Sequence, residues 1–429
     1  MFKIDKTDLK VVIEPLKMPF GFKGGYTQEL WQVVCKVESG DSFGIGIGVQ
    51  SILWSDQSVY KAYTPKEGNE LMVSITKYAL SLLDGKSFEN PIQALDSIID
   101  DVYAYAKGIT KNPNLRKTFA LNALVSVDNA LWQLMGKLEK SENFLNLLTD
   151  DYKEALSNKL DKIVNIPLIT YKISPCEIKK LVDDGSFLLK IKIGSDPDGD
   201  GDLDKMLSWD KQRINEIHNI VKDIFTPYTD TNHISYYLDA NGRYVSIERL
   251  NDLLDYCNQI GALDRVLILE EPFDEENKID VSGVKAIVAS DESAHSCEDV
   301  IERINLGYRA IALKPIAKTM SETLKILKEA HKSGVNCFCA DLTVNPVMVD
   351  FNKNIASRID KYPGVKIGIM ESNGKQNYVN WDDMLKAHPM YSKANFIESK
   401  NSIYTLDDEF FDISGGIFKD SEYYVNLFK

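Results

Sequence analysis

From Ile166 to Glu371 the chain repeats one pattern eight times, a short β-branched or aromatic run followed by a polar loop and, in most repeats, an amphipathic stretch. The runs are IPLITY (166–171), FLLKIKI (187–193), ISYYLDA (234–240), VLILEEP (266–272), KAIVASD (285–291), RAIALKP (309–315), VNCFCAD (335–341) and VKIGIME (365–371). Parallel strands need long crossovers, usually helical, so strands that alternate with helical segments build a parallel sheet. SIERLNDLLDYCNQIG and SETLKILKEAHKSG are such crossovers. Eight strand units close most naturally into a barrel, which puts the chain in the α/β class.

The first 160 residues read differently. LKVVIEPL, ELWQVVCKVE and SFGIGIGVQ are strand-like runs broken by Gly-containing loops, as in an antiparallel meander. GNELMVSITKYALSLLDG, PIQALDSIIDDVYAYAKG and LRKTFALNALVSVDNALWQLMGK then space apolar residues at three and four, with glycines near their ends as expected helix stops. The reading is an α+β domain over 1–160, a barrel over 161–380, and a C-terminal segment over 381–429 that returns to the first domain. FDISGGIF in that segment is expected to add a strand.

Charge narrows the partners. Fifty Lys and Arg against 64 Asp and Glu leave a net charge of −14, which repels nucleic acid and anionic lipid surfaces. The apolar runs fall short of the roughly 20 residues of a bilayer span, and the N-terminus has no signal-peptide pattern. Six cysteines without CxxC spacing read as reduced thiols, so a cytoplasmic protein is expected.

Ionisable residues close most of the late strands: Lys192, Asp239, Glu270, Asp291, Lys314 and Glu371. In a barrel those ends face one site. Side chains two apart on a strand point the same way, so Lys190 and Lys192 share a face, as do Asp239 and Asn241. Adjacent strands lie ~4.8 Å apart, and burying three carboxylates so close together is prohibitive without a cation or a proton. An all-oxygen set without His or Cys selects Mg²⁺ over zinc, with Mn²⁺ as the alternative hard ion. A lysine beside such an ion and a second ammonium is expected to have a lowered pKa and to serve as a general base.

LLKIKIG, YYLDANGRY, LEEPF, ASDES and ALKP, in that order at strand ends, resemble the enolase superfamily, and within it the muconate lactonizing enzyme subgroup of the mandelate racemase/muconate lactonizing enzyme family. That subgroup also contains dipeptide epimerases, o-succinylbenzoate synthases and N-acylamino acid racemases. The resemblance implies a modified TIM (β/α)7β barrel with an N-terminal α+β capping domain. It implies Asp239, Glu270 and Asp291 as Mg²⁺ ligands, Lys192 as base on one substrate face, Lys314 as acid or base on the other, and Lys190 as the group that tunes Lys192. The implied reaction is abstraction of a proton alpha to a carboxylate through an enediolate, on a small-molecule carboxylate, in a homo-oligomer. A mandelate racemase type site needs a His after the seventh strand, where this chain reads CFCAD; all five histidines are read as surface or loop residues.

A racemase or epimerase of an amino acid derivative or dipeptide is the leading expectation, because two lysines provide a base on each face. A lyase of the o-succinylbenzoate synthase or acid-sugar dehydratase kind, or a muconate-type cycloisomerase, is the alternative on the same site. Dipeptide epimerases carry a DxD pair after the eighth strand; here MESNGKQNY offers Glu371, then Ser372 and Asn373. Glu371 and Asn241 are expected to line the substrate site. Two capping loops, MPFGFKGGYT (18–27) and SILWSDQ (51–57), bring Phe20, Lys23 and Trp54 as further substrate contacts. The stretch 195–207 resembles a calcium loop, yet Leu207 stands where the bidentate Glu belongs, so it reads as a solvated acidic loop.

Overall fold

The computed structural model describes residues 1–22 and 25–429. Strands β1 (Lys6–Phe22), β2 (Gly25–Ser39) and β3 (Ser42–Gln50) form an antiparallel meander. Helices α1 (Pro65–Leu83), α2 (Ile99–Thr110) and α3 (Lys117–Leu138) follow it. Gly44, Gly46 and Gly48 alternate along β3, so they share one face, and that face meets α3. A Cβ on Gly46 would stand 2.1 Å from the Ser126 carbonyl oxygen and 2.2 Å from the Ala130 nitrogen. The helix therefore rests directly on strand backbone.

Two glycines read as helix stops do something else. Gly108 lies inside α2, which ends at Lys111 with φ +53°. Gly136 lies inside α3, where a Cβ would meet the Phe418 ring at 2.5 Å; it is small so that the C-terminal segment can dock. The stretch 91–108 also divides, into Pro91–Asp96 and α2.

The barrel contains β4 (Lys162–Ile166), β5 (Leu168–Ile169), β6 (Leu188–Lys192), β7 (Ser235–Asp239), β8 (Val266–Glu270), β9 (Val288–Ser290), β10 (Ala310–Leu313), β11 (Asn336–Cys339) and β12 (Gly368–Glu371). Its first strand is broken at Pro167, which has no N–H to donate. Before the break β4 pairs in parallel with β12; after it β5 pairs in parallel with β6, so one interrupted strand closes the ring. Helices α4 (Pro175–Asp183), α5 (Leu203–Val221), α6 (Ile247–Gln259), α7 (Cys297–Asn305), α8 (Met320–Lys332) and α9 (Pro346–Ala356) supply crossovers. Each starts at a side chain that accepts a hydrogen bond from its first turn: Ser174, Asp202, Ser246, Ser296, Thr319 and Asn345. This is a modified TIM barrel with an antiparallel sheet and helices as its cap.

The C-terminal segment corrects one expectation. FDISGGIF (411–418) begins in the last three residues of a helix, Asp408–Ile413, and then turns at Ser414, Gly415 and Gly416, all with positive φ, which no strand accommodates. The added strand is instead β13 (Ile403–Thr405), antiparallel to β4. Beyond it the chain reaches α3, where Gln133 Nε2 donates to the Lys419 carbonyl at 3.1 Å and Lys137 pairs with Asp420 at 2.6 Å.

Of the histidines read as surface or loop residues, His218 is corrected, and His295 and His388 are loop residues that are nonetheless packed. His218 is buried on α5 against the Tyr236 hydroxyl at 2.8 Å. His388 is buried with Nε2 2.7 Å from Asp350 and Nδ1 accepting from the Met390 N–H. His295 is largely buried, 3.4 Å from Glu275. Of the stretch 195–207, residues 196–202 form an exposed acidic loop and Leu203 already begins α5, whose Lys205 pairs with Asp198 at 3.0 Å and Asp200 at 2.6 Å. Among the described residues no helix is long and apolar enough to cross a membrane.

Candidate active site

Strand register sets the site. Lys192 pairs across to Asp239, Asp239 to Glu270, Glu270 to Ala289 and Ala289 to Ala310. Asp291 stands two residues beyond Ala289 and Lys314 four beyond Ala310. Even steps keep a side chain on the same face, and the stagger of a closed barrel carries the row up one strand end after another. The row reads lysine, three carboxylates, lysine.

All but Lys192, whose side chain is 15% exposed, are buried: Lys314 is 4% exposed, Asp291 2%, Asp239 1% and Glu270 0%, with Lys190 beside them at 4%. Such burial is tolerable only with close pairing. Lys190 Nζ lies 3.1 Å from Asp239, 2.8 Å from Glu270 and 3.1 Å from Glu371. Lys192 Nζ lies 2.5 Å from Asp239 Oδ2 and donates to Asn241 Oδ1 at 2.6 Å. Asn241 has φ +45°, a left-handed conformation that Asn tolerates. Lys314 pairs with Asp291 Oδ2 and sits 4.6 Å from the centre of the Trp54 ring.

Burial opposes the charge on Lys190, but Asp239, Glu270 and Glu371 outweigh it and hold the ammonium well above its usual range. Burial likewise opposes Lys314, and Asp291, Glu292 and Glu270 raise it regardless. Each of these two ammonium groups touches carboxylates that favour its charge. Burial disfavours the charge on Asp239 and Asp291, yet Lys190 and Lys192 hold the first well below the carboxylate range, and Lys314 and Lys318 the second. Glu270 is pushed well up by burial and by Asp239.

A cavity of about 600 Å³ opens over the row. Lys190, Lys192, Asp239, Asn241, Asp291, Lys314 and Glu371 line it, and Glu270 lies beneath. Phe20, Leu30, Leu53, Trp54 and Leu342 make its apolar side. The segment 18–27 is not a free loop: Phe20, Gly21 and Phe22 continue β1 opposite Thr27, Tyr26 and Gly25 of β2. The segment 51–57 begins with a helical turn, Ile52–Ser55, tied to α3 where Asn122 Oδ1 accepts from the Ser51 N–H at 2.9 Å. Lys23 lies outside the described residues.

The structure adds groups that sequence reading passed over. Glu292, Asp341 and Asn373 line the cavity. Lys318 donates to the Asp291 carbonyl at 2.5 Å and the Ala294 carbonyl at 2.9 Å. Asp341 ends CFCAD as Asp239 ends its own run, so the same strand-end signal was present. Burial and the facing Glu371 push Asp341 up to about 7, against backbone N–H groups of Asn373, Leu342 and Thr343 that favour its charge.

The donor set fits a hard divalent ion. Three consecutive strand ends offer only carboxylate oxygens, and Glu270 Oε1 is buried with no hydrogen-bond partner. Among the described residues no group of three His, Cys, Asp or Glu side chains is arranged as a metal cage; lysine ammonium groups sit against the carboxylates.

No family model matches the sequence, and no curated protein matches it significantly. Solved structures do. A mandelate racemase/muconate lactonizing protein from Herpetosiphon aurantiacus aligns over 95% of this chain and 96% of its own, with a TM-score of 0.65 and 16% identity. The chain has the mandelate racemase/muconate lactonizing enzyme fold. An N-succinyl Arg/Lys racemase from Bacillus cereus ATCC 14579 shares that fold over 94% and 93% of the two chains, with a TM-score of 0.64 and 14% identity. A dipeptide epimerase from Enterococcus faecalis V583, complexed with Mg and L-Leu-L-Tyr, shares it over 88% and 92%, with a TM-score of 0.62 and 17% identity. In the mandelate racemase/muconate lactonizing enzyme fold of this chain, the lysine and carboxylate row lies at the C-terminal ends of the barrel strands, the face where barrel enzymes carry their chemistry.

Proposed function

We propose that the protein is a Mg²⁺-dependent racemase or epimerase of the enolase superfamily that abstracts the proton alpha to a carboxylate, acting on an amino acid derivative or dipeptide. The observation that supports this most is the bracketing of three buried carboxylates by Lys192 on one side and Lys314 on the other, all against one cavity. Moving a proton from one face of a carbon to the other requires a base on each face, and lysine is an acid on one side of that exchange and a base on the other.

Asp239, Glu270 and Asp291 would hold the divalent ion, which supplies electrostatic stabilisation of the negative charge that develops on the substrate carboxylate. Lys192 Nζ is aligned by Asp239 Oδ2 and Asn241 Oδ1, and it takes or returns the alpha proton on its side. Lys314 does the same on the opposite side, with the Trp54 ring limiting water around its ammonium. Lys190 contacts three carboxylates at once and adds positive charge next to the substrate carboxylate. Phe20, Leu30 and Leu53 exclude water from the substrate side chain.

The test is deuterium incorporation in D₂O, read by mass spectrometry, over pools of dipeptides, N-acylamino acids and sugar acids. A gain of one mass unit that requires Mg²⁺, and that Lys192→Ala loses with one stereoisomer of the substrate, is expected. Mass loss by one water without exchange would instead identify a lyase.

A further inference from the structure

Arg116 immediately precedes α3 and joins the 51–57 segment of the cap to the barrel. Its own N–H donates to Asp56 Oδ2 at 2.9 Å, its Nη1 donates to the Trp54 carbonyl at 3.3 Å, and its Nη2 pairs with Glu275 Oε2. Glu275 stands five residues beyond Glu270, in the loop that follows β8. Arg303 of α7 fixes that loop by donating to the Glu275 carbonyl and, at 2.7 Å, to the Asn277 carbonyl. His295, four residues beyond Asp291, lies 3.4 Å from the Glu275 carboxylate. Burial opposes the charge on Glu275, but His295 and Arg116 hold its carboxyl below the usual range.

Other bonds hold the 51–57 segment to the cap's own helix. Asn122 Oδ1 accepts from the Ser51 N–H at 2.9 Å and from the Ser55 hydroxyl at 3.2 Å, and the Thr118 hydroxyl donates to the Ser55 carbonyl at 2.7 Å. The Arg116–Glu275 pair ties the same segment to the strand ends of the barrel. Its side chains are 13% and 14% exposed, so solvent and salt screen the pair less than they would on the surface. A guanidinium can hold the Trp54 carbonyl with one nitrogen and Glu275 with another, a fork that a lysine ammonium does not reproduce. The residue so held matters to the site, because the Trp54 ring is 6% exposed and its centre lies 4.6 Å from Lys314 Nζ.

We infer that Arg116 is a positioning residue for Lys314: paired with Glu275, it holds the Trp54 backbone in place against the barrel and so keeps the Trp54 ring over the Lys314 ammonium. This rests on the proposed reaction only for what Lys314 does there. Lys192 is aligned instead by Asp239 and Asn241, so the two faces of the substrate are expected to respond unequally when Arg116 is lost.

Trace acetylation of the substrate-free protein with acetic anhydride, read at Lys314 by tandem mass spectrometry, tests the positioning without turnover. In Arg116→Gln, Lys314 is expected to be labelled at least about 5-fold faster than in the parent, as in a local opening, while Lys353, fully buried on α9, keeps its rate and so reports that the chain stays folded. Glu275→Gln, which removes the charge on the barrel side and leaves Arg116 in place, is expected to shift Lys314 in the same sense, and Arg116→Lys to recover part of the parent's protection. In D₂O with a turned-over substrate, Arg116→Gln is expected to slow exchange about 10-fold or more with the stereoisomer that depends on Lys314 and to leave the other within about 2-fold. A merely structural role would slow both alike. Lys314 labelling that is unchanged in both Gln variants, or that rises only together with that of Lys353, overturns the positioning role, as does slowing that is equal or absent for the two stereoisomers. Faster labelling of Lys314 in a protein whose parent exchanges no substrate leaves the positioning standing and sinks the reaction.

Discussion

Asp128 on α3 is fully buried where the cap packs on the barrel. It accepts the Ser321 N–H at 3.0 Å and the Ser321 hydroxyl, at the first turn of α8, and Trp132 Nε1 donates to the same hydroxyl at 3.1 Å. Burial pushes its carboxyl from 3.8 to about 6, against the pull of the Ser321 and Met320 hydrogen bonds and of Lys325. Between about pH 4 and about pH 6 the folded chain therefore holds a proton that the unfolded chain has lost, so this group's contribution to stability falls as pH rises through that window. At ~1.4 kcal/mol for each pH interval, the loss above pH 6 amounts to about 3 kcal/mol. Asp128→Asn, neutral throughout and still able to accept from the Ser321 N–H, is predicted to be up to about 3 kcal/mol more stable than the parent at pH 8 and no more stable at pH 4. Urea unfolding of both proteins at the two pH values measures it, since subtracting parent from variant removes every other titrating group. A difference that is the same at both pH values, or a variant less stable at pH 8, would refute the argument.

Other perturbations follow from the same contacts. Gly46→Ala drives a methyl into the Ser126 carbonyl and the Ala130 nitrogen, backbone atoms that cannot swing away, and is expected to cost about 3 kcal/mol or more in urea melts. Lys318→Met strips Asp291 of a buried partner while leaving Lys314 in place, and a loss of about 3 kcal/mol is expected by the same assay. Asp239→Asn and Glu270→Gln should each weaken Mg²⁺ binding at least about 10-fold by calorimetry, and unchanged affinity would remove them as ligands. Trp54→Ala should lower kcat as well as raise KM, because the ring both lines the cavity and lies 4.6 Å from the Lys314 ammonium.

The barrel strands were legible because buried parallel strands are short apolar runs set between polar loops, and each of the eight runs contains one. The lysine and carboxylate row was legible because a strand end is where apolar residues stop. Asp341 carried the same mark and was passed over because a carboxylate that ends CFCAD announces no partner; its place on the cavity wall, tied to Asn373 and Glu371, is a fact of packing. The closeness of Lys190 to three carboxylates at once was not legible, because it depends on how the strand ends converge and not on strand period. Break points depend on single residues. Pro167 splits the first strand, and the positive φ angles at 414–416 turn a β-like composition into a helix end. Gly136 and the row at 44–48 are small because a ring or a helix lies against them, a fact of tertiary contact that helical or strand period does not contain.

The central claim is that two lysines work on opposite faces of one alpha carbon. It is tested most directly by following deuterium incorporation from D₂O into each stereoisomer of a turned-over substrate separately, in Lys192→Ala and in Lys314→Ala. Each variant is predicted to keep exchange with one stereoisomer and lose it with the other, in opposite senses. Variants that affect both stereoisomers alike would contradict the two-base arrangement.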